Sequence, residues 1–202
     1  MTTAAVLPAP PEMAFAVRWT RAECEKMDAA GLLRFRYELI NGLIIRCPPR
    51  LLREAMTASQ IVLSLQTNWS YDYLITLCGM TVAPDENDYT CPAPDVLVLN
   101  KSGRAIPGDY ARPEDIHFLV EVSDTTLDYD LTTKAGVYAR AGIAQYFVID
   151  VTGRVVYDHR LTGSGAYARD VYKSGDGLTL VCAPELALRV DDWLLPNTNL
   201  NT

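Results

Sequence analysis

The chain has 202 residues, of which 49% are apolar and 21% are charged, with a net charge of −7. This composition excludes a disordered chain, and no apolar run reaches the roughly 18 residues that a membrane-spanning helix needs. Taken by itself, the acidic balance argues against a nucleic-acid partner.

The two ends of the chain differ in composition from its centre. Residues 1–16 hold three prolines and lack the basic start and unbroken apolar core of a signal peptide. We expect a flexible arm at 1–16, a single domain at 17–196 and a mobile tail at 197–202. The five cysteines are scattered and include no CxxC pair, which predicts free thiols in a cytoplasmic protein.

The first half of the chain has two clear local signals. Thr20-Arg-Ala-Glu23 is a capping box that starts a helix. Asn41-Gly42 lies between two strand-like runs and favours a type I′ turn, because both of its central positions need a positive φ. The predicted elements of this half are a helix at 20–30, strands at 34–40 and 43–45, a helix at 51–69 and a strand at 73–77.

Two strongly apolar strands dominate the second half. Residues 95–99 are typical of a strand buried on both faces, and residues 118–123 form a similar run that includes Glu121. The remaining predicted elements are a helix at about 127–141, a hairpin at 145–159, short strands near 167–172 and 178–181, and a turn at 191–195. This order predicts an α/β or α+β domain with a mixed sheet and a C-terminal part rich in β-hairpins.

Charged residues in apolar surroundings indicate where chemistry could occur. Glu121 lies inside a central strand, where a buried charge is costly unless it is paired or binds a metal. Lys134 falls on the inward stripe of the following helix, and Asp95 begins the other buried strand. Two carboxylates brought together would hold a hard divalent cation such as Mg²⁺, and a lysine beside them could position or activate a water.

The same residues are also consistent with structural roles. Glu121 and Lys134 could form a salt bridge that joins helix to strand, or Lys134 could extend its ammonium to solvent. Asp95 could accept hydrogen bonds from loop amides. Strand alternation places Glu38 opposite the apolar face, so a solvent-exposed pair with an arginine and a metal-binding role are both open. Other residues interpreted structurally are Asp124, Asp128 and Asp130, as helix-start acids, and Tyr138, as core.

Charge is distributed unevenly along the chain. Residues 34–53 hold five arginines and one acid, whereas residues 84–130 hold eleven acids and three bases. A basic stretch beside an acidic one fits an anionic substrate held near a divalent metal, although an ordinary uneven surface would look the same. On the first interpretation, Arg46, Arg50 and Arg53 bind the substrate.

Several of these motifs together resemble a known family. Pro94-Asp95, Glu121-Val122-Ser123 and Lys134 are similar to the motifs of the PD-(D/E)XK nuclease superfamily. The resemblance is closer to a bacterial branch of restriction-endonuclease-like proteins in which the lysine has migrated from the strand to the next helix. Ser123 stands at the strand position of that lysine. The resemblance covers about residues 20–160 and implies a mixed central sheet flanked by helices.

The resemblance also implies roles for individual residues. Asp95 and Glu121 would be metal ligands, the carbonyl of Val122 would add a third oxygen, and Lys134 would be the catalytic lysine. Glu38 matches an early acidic position with an accessory role. The implied cofactor is Mg²⁺, with Mn²⁺ as a substitute, and the implied activity is hydrolysis of DNA phosphodiesters by a metal-activated water.

One departure and three hypotheses remain. Members of the family often have a histidine near the start of the second helix, and residues 54–60 contain none.

The leading hypothesis is a Mg²⁺-dependent endodeoxyribonuclease, acting as a homodimer because cutting both strands favours two active sites. The alternative is a catalytically silent nucleic-acid-binding or regulatory module on the same fold. A third hypothesis is a metal-dependent hydrolase of a small phosphoester. Whether Lys134 is catalytic or only pairs with Glu121 is open.

Overall fold

A six-stranded β-sheet organises the chain. The computed structural model describes residues 17–196, so the arm predicted at 1–16 and the tail predicted at 197–202 lie outside the described residues. The strands are β1 (Tyr37–Ile40), β2 (Leu43–Arg46), β3 (Leu74–Thr76), β4 (Val96–Leu99), β5 (Ile116–Ser123), β6 (Gln145–Asp150), β7 (Val155–Leu161), β8 (Tyr167–Lys173), β9 (Gly177–Leu178) and β10 (Leu188–Arg189).

Short helices connect and cover the strands. The α-helices are α1 (Arg21–Ala29), α2 (Leu52–Leu65), α3 (Leu127–Tyr129) and α4 (Ala135–Arg140), with a π-helical turn at Asp130–Lys134. Single 3₁₀ turns lie at Tyr71–Tyr73, Gly103–Ala105, Pro113–Asp115 and Val190–Asp192. No helix within residues 17–196 combines the length and the apolar character needed to cross a bilayer.

The sheet is mixed, as its sequence pattern predicts. Its order is β3-β4-β5-β6-β7-β8, in which every neighbouring pair is antiparallel except the parallel pair β5–β6. A parallel pair needs a crossover, and the segment from α3 to α4 supplies it. β1 with β2 and β9 with β10 form separate antiparallel pairs. The predicted mixed α/β fold with a hairpin-rich C-terminal part is confirmed.

The two faces of the sheet bury different residues. Because side chains alternate along a strand, Val96 and Val98 pack on one face, in a core that includes Ile61 of α2 and Trp193. Leu97 and Leu119 pack on the other face, in a core with α4 and the β1–β2 hairpin. The central strands are therefore covered on both sides, which explains their continuous apolar runs.

The local turn signals act where the sequence predicts. The Thr20–Glu23 capping box is formed at the start of α1. Asn41 and Gly42 have φ of 53° and 81°, and they close the hairpin with Ile40 opposite Leu43. A side chain at Gly42 would also bring its Cβ within 2.6 Å of the Arg18 Cβ, so glycine meets two requirements at this position.

Two predicted helices differ from the structure, and the strand predicted near 178–181 is shortened to β9 at Gly177–Leu178. α2 ends at Leu65 rather than near Trp69, and the Asn68 amide beyond it bonds to the Leu65 carbonyl three residues back, which tightens the chain into a turn. The single helix predicted at 127–141 is divided by the π-helical turn. Such turns widen a helix locally and occur often at functional sites.

Candidate active site

A cavity of about 260 Å³ opens between the β1–β2 hairpin, the start of β4, the end of β5 and the crossover. Its lining brings together most of the residues that the sequence predicts for the site. The predicted site residues that line it are Glu38, Arg46, Arg50, Asp95, Glu121, Val122 and Lys134. Arg53 is not part of this lining.

The pairing of β4 with β5 places the two predicted ligands side by side. These strands are antiparallel with Val96 opposite Val120, so the next positions along them are Asp95 and Glu121. Alternation puts both on the face covered by α4 and the hairpin. The Oδ2 atom of Asp95 accepts a hydrogen bond from the Val122 amide at 2.8 Å, which fixes this carboxylate to β5.

Lys134 is the centre of an acidic cluster. Its ammonium donates to Oε1 of Glu121 at 2.8 Å and to Oε1 of Glu38 at 2.9 Å, and it lies 3.8 Å from Oδ1 of Asp130. Lys134 is only 5% exposed, so the interpretation in which its ammonium extends to solvent is wrong. The salt bridge to Glu121 is present, and a bridge of this kind is compatible with a catalytic role as well as a structural one.

Glu38 reaches the cluster from the hairpin. It is 3% exposed and accepts a hydrogen bond from the Ala93 amide at 3.0 Å as well as from Lys134. The alternative of a solvent-exposed pair with an arginine is therefore wrong. Glu38 is buried by a contact between segments that are distant in sequence. A β-bridge between Leu39 and Cys91 holds β1 against the segment before β4, and this segment covers the strand face that carries Glu38.

Sequence reasoning missed the contributions of Asp130 and Tyr138. Asp130 begins the π-helical turn, in keeping with its interpretation as a helix-start acid, but it is also buried and accepts hydrogen bonds from the Ser123 hydroxyl at 2.6 Å and the Thr126 hydroxyl at 2.7 Å. Tyr138 is core, as interpreted, but its hydroxyl also donates to Oε1 of Glu121 at 2.8 Å. Positions 130, 134 and 138 are four residues apart and so share one helical face, and this spacing could have indicated that Asp130 and Tyr138 lie beside Lys134.

Electrostatics in the cluster reflect three buried acids around one base. Burial raises the pKa of Glu121 to about 7 and also raises the pKa of Asp130. Burial by itself would lower the pKa of Lys134, but the carboxylates of Glu121, Glu38 and Asp130 outweigh it and raise that pKa well above its ordinary value. With all groups ionised, the three acids and the lysine carry two excess negative charges.

The arginines of the basic segment contact different parts of the protein, and two of them share Asp95. Arg50 forms an ion pair with Oδ1 of Asp95, and the Arg36 guanidinium lies 4.0 Å from the same oxygen. The Arg46 guanidinium lies 5.3 Å from the centre of the Phe35 ring. Arg53 pairs with Asp124 away from the cavity lining, so Asp124 is an ion-pair partner rather than a helix-start acid.

The donor chemistry of the cavity fits a hard divalent cation. Asp95, Glu121 and the Val122 carbonyl offer the oxygen ligands that Mg²⁺ prefers, and the excess negative charge would be offset by a dication. Between residues 17 and 196 no group of three His, Cys, Asp or Glu side chains is arranged as a metal site, and the predicted set contains only two side chains of these types. The five cysteines are free thiols, as predicted.

Comparison with known proteins agrees with this architecture. The Uma2 family model, described as "Putative restriction endonuclease", matches residues 25–191. A crystal structure from Anabaena variabilis, described as a "putative nuclease belonging to DUF820", superposes with a TM-score of 0.61 at 18% identity over 80% of this chain and 93% of that one. At that identity the likeness shows the fold, and it confirms the predicted restriction-endonuclease-like fold. No curated protein matches. Because the family match spans most of the sequence and the whole cavity, the chain belongs to the Uma2 family.

Proposed function

We propose that the protein is a Mg²⁺-dependent endodeoxyribonuclease whose active site is the cavity containing Asp95, Glu121 and Lys134. The observation that carries this proposal is the register of β4 and β5, which sets two carboxylates side by side on the face where Lys134 enters. The description of the Uma2 family, "Putative restriction endonuclease", supports the same reaction class. The substrate would be DNA.

Asp95, Glu121 and the carbonyl of Val122 would hold the cation, which is Mg²⁺ with Mn²⁺ as a substitute. When bound there, a divalent cation supplies positive charge that polarises a phosphate and activates a water for attack. Glu38 has the accessory role, because it anchors Lys134 from the hairpin while its own carboxylate is held by the Ala93 amide.

Lys134 would act as the catalytic lysine that has migrated from the position of Ser123. Its ammonium stays charged in this setting, because three carboxylates hold its pKa well above the ordinary value. A fixed ammonium lining the cavity orients the attacking water and stabilises charge that develops on the phosphate. Tyr138 shares Oε1 of Glu121 with the ammonium and so limits the rotation of that carboxylate.

The arginines at the cavity would bind the substrate. Arg46 and Arg50 line it, and Arg36 lies beside Arg50. Guanidinium groups match the geometry of phosphate oxygens, so these arginines can bind DNA phosphates at a cavity that also holds carboxylates. A homodimer would supply the two active sites that cleavage of both strands requires.

One observation favours a second candidate, a catalytically silent nucleic-acid-binding module. The predicted ligands are already engaged inside the protein: Oδ1 of Asp95 by Arg50, and Oε1 of Glu121 by Lys134 and Tyr138. In this alternative the cluster stabilises the fold, and the arginines alone contact DNA.

Plasmid nicking separates the two candidates. The wild type should convert supercoiled plasmid to open circles with Mg²⁺ or Mn²⁺ and not with a chelator. Asp95→Asn and Lys134→Met should each lower the rate by about 100-fold or more. The exposed changes Asp170→Asn and Lys173→Met on β8 are matched controls and should leave it unchanged.

Equal rates for the wild type and both cavity variants would refute the nuclease. The silent module predicts a different result, in which the wild type shifts DNA in a gel without cleaving it and binds more weakly as salt rises. Hydrolysis of bis(p-nitrophenyl) phosphate without nicking of plasmid would point instead to a small phosphoester as substrate.

A further inference from the structure

Arg50 lies against the carboxylate that is proposed to bind the metal. Its Nη2 atom pairs with Oδ1 of Asp95, while Oδ2 of Asp95 accepts from the Val122 amide at 2.8 Å. One oxygen of Asp95 is thus held by the backbone of β5, which the sheet fixes. The other is held by the Arg50 side chain, which rotates about several bonds, so this contact can be exchanged without altering the sheet.

The segment that carries Arg50 directs it into the cavity. Residues 47–51 connect β2 to α2 without regular secondary structure, and Pro48 and Pro49 immediately precede the arginine. The Arg50 side chain is 19% exposed, whereas that of Arg53, three residues later, is 49% exposed. A largely buried guanidinium needs an anionic partner, and Asp95 provides it in the DNA-free protein.

We propose that Arg50 exchanges its carboxylate partner for a DNA phosphate and thereby releases Asp95 for the metal. The inference rests on the proposed function. In the free protein the guanidinium neutralises Asp95 and occupies the oxygen that a cation needs. A planar guanidinium can bind two oxygens of a phosphodiester at once, so a backbone phosphate that enters the cavity can replace Asp95 as the partner of Arg50.

This exchange makes metal binding and DNA binding depend on each other. If a phosphate draws Arg50 away from Asp95, DNA raises the affinity for the cation, and by linkage the cation raises the affinity for DNA by the same factor. Arg50 is therefore a positioning residue that keeps the site closed until substrate arrives. A purely structural salt bridge would predict lower stability without Arg50 and no gain in metal affinity.

The test is a titration of the full-length, DNA-free protein with Mn²⁺ alone. Binding is measured by calorimetry or by the electron paramagnetic resonance signal of free Mn²⁺. Arg50→Met should bind Mn²⁺ about tenfold more tightly than the wild type, within the usual range of coupling between sites. Arg140→Met is the matched control, because Arg140 pairs with Glu86 outside the cavity, and it should leave Mn²⁺ affinity unchanged.

A second arm adds a short DNA duplex. The duplex should tighten Mn²⁺ binding to the wild type by a similar factor and have little effect on Arg50→Met. A duplex with neutral methylphosphonate linkages should have no such effect on either protein. If Arg50→Met does not fold, as judged by circular dichroism, Arg50→Gln provides the same loss of charge and the same expected gain.

The outcomes distinguish this inference from the proposed function. If the variant without Arg50 binds Mn²⁺ no more tightly than the wild type, the exchange is refuted. The proposed function then still stands, provided that the wild type binds Mn²⁺ and Asp95→Asn does not. If neither the wild type nor the Arg50 variant binds Mn²⁺, both proposals are refuted.

Discussion

Replacing Glu121 with glutamine should change the pH dependence of stability in a defined direction. Burial raises the pKa of Glu121 from 4.5 to about 7 in the folded protein. Between these values the folded state holds more protons than the unfolded state, so the contribution of Glu121 to stability falls as pH rises. A difference of about 2.5 pH units at about 1.36 kcal/mol per unit corresponds to roughly 3 kcal/mol.

The wild type alone cannot report this effect, because His159 has the opposite influence. Burial lowers the pKa of His159 from 6.5 to about 4, so the folded state binds this proton more weakly than the unfolded state does. Its contribution is present above pH 6.5 and is lost as pH falls towards 4. Since the two windows overlap, the two slopes largely cancel. Taking the difference between the wild type and Glu121→Gln removes the His159 contribution and leaves that of Glu121 with the charged groups of the cluster around it.

The assay is urea unfolding of the metal-free protein in chelator from pH 4.5 to 8, followed by the fluorescence of tryptophans that include the buried Trp193. The free energy of unfolding of the wild type minus that of Glu121→Gln should fall by about 3 kcal/mol between pH 4.5 and 7, then level off. Glu185→Gln, at an exposed position, controls for the substitution itself. A difference that stays constant or rises with pH would refute the reasoning, because it would mean that Lys134 keeps Glu121 ionised despite burial.

The hydrogen bond from Tyr138 to Glu121 and the position of Arg46 at the cavity can each be tested by substitution. Tyr138→Phe removes the hydroxyl that donates to Glu121 at 2.8 Å, so urea unfolding should show a loss of about 1–3 kcal/mol, whereas exposed Tyr71→Phe should show little change. No loss in Tyr138→Phe would mean that the carboxylate is satisfied without it. Arg46→Ala should weaken DNA binding at every sequence tested and reduce the slope of log K against log salt by about one, measured by fluorescence anisotropy. An unchanged slope would exclude a phosphate contact by Arg46.

The parts of the fold that follow from local rules were predictable. Asn41-Gly42 determines a turn by backbone conformation alone, and the continuous apolar runs around Asp95 and Glu121 require strands covered on both faces. The inward position of Lys134 also followed, because helical spacing places it between two apolar neighbours. In each case the signal lies within about ten residues of the feature that it specifies.

The parts that depend on distant contacts were not predictable. Glu38 alternates with apolar residues and would face solvent in an isolated hairpin, and only the docking of β1 against Cys91 buries it. Asp130 lies where an acid commonly complements a helix dipole. Because that local role is enough to explain an acid there, the sequence gives no reason to expect its contact with Ser123. The partner of Arg50 could not be read from charge patterning, because its sequence neighbour Arg53 has the same composition around it and pairs elsewhere.

The position of the lysine has a consequence for how the site is held together. Strand alternation places Ser123 on the same face as Glu121, where a lysine side chain would arise from the strand itself. Instead, the Ser123 hydroxyl donates to Asp130 and ties the crossover helix to the end of β5. Lys134 then enters from that helix and contacts Glu121 on the sheet and Glu38 on the hairpin together. Because three separate elements meet at one ammonium, any shift of the crossover against the sheet would separate the lysine from the carboxylates, so the geometry of the site depends on the packing of the whole domain.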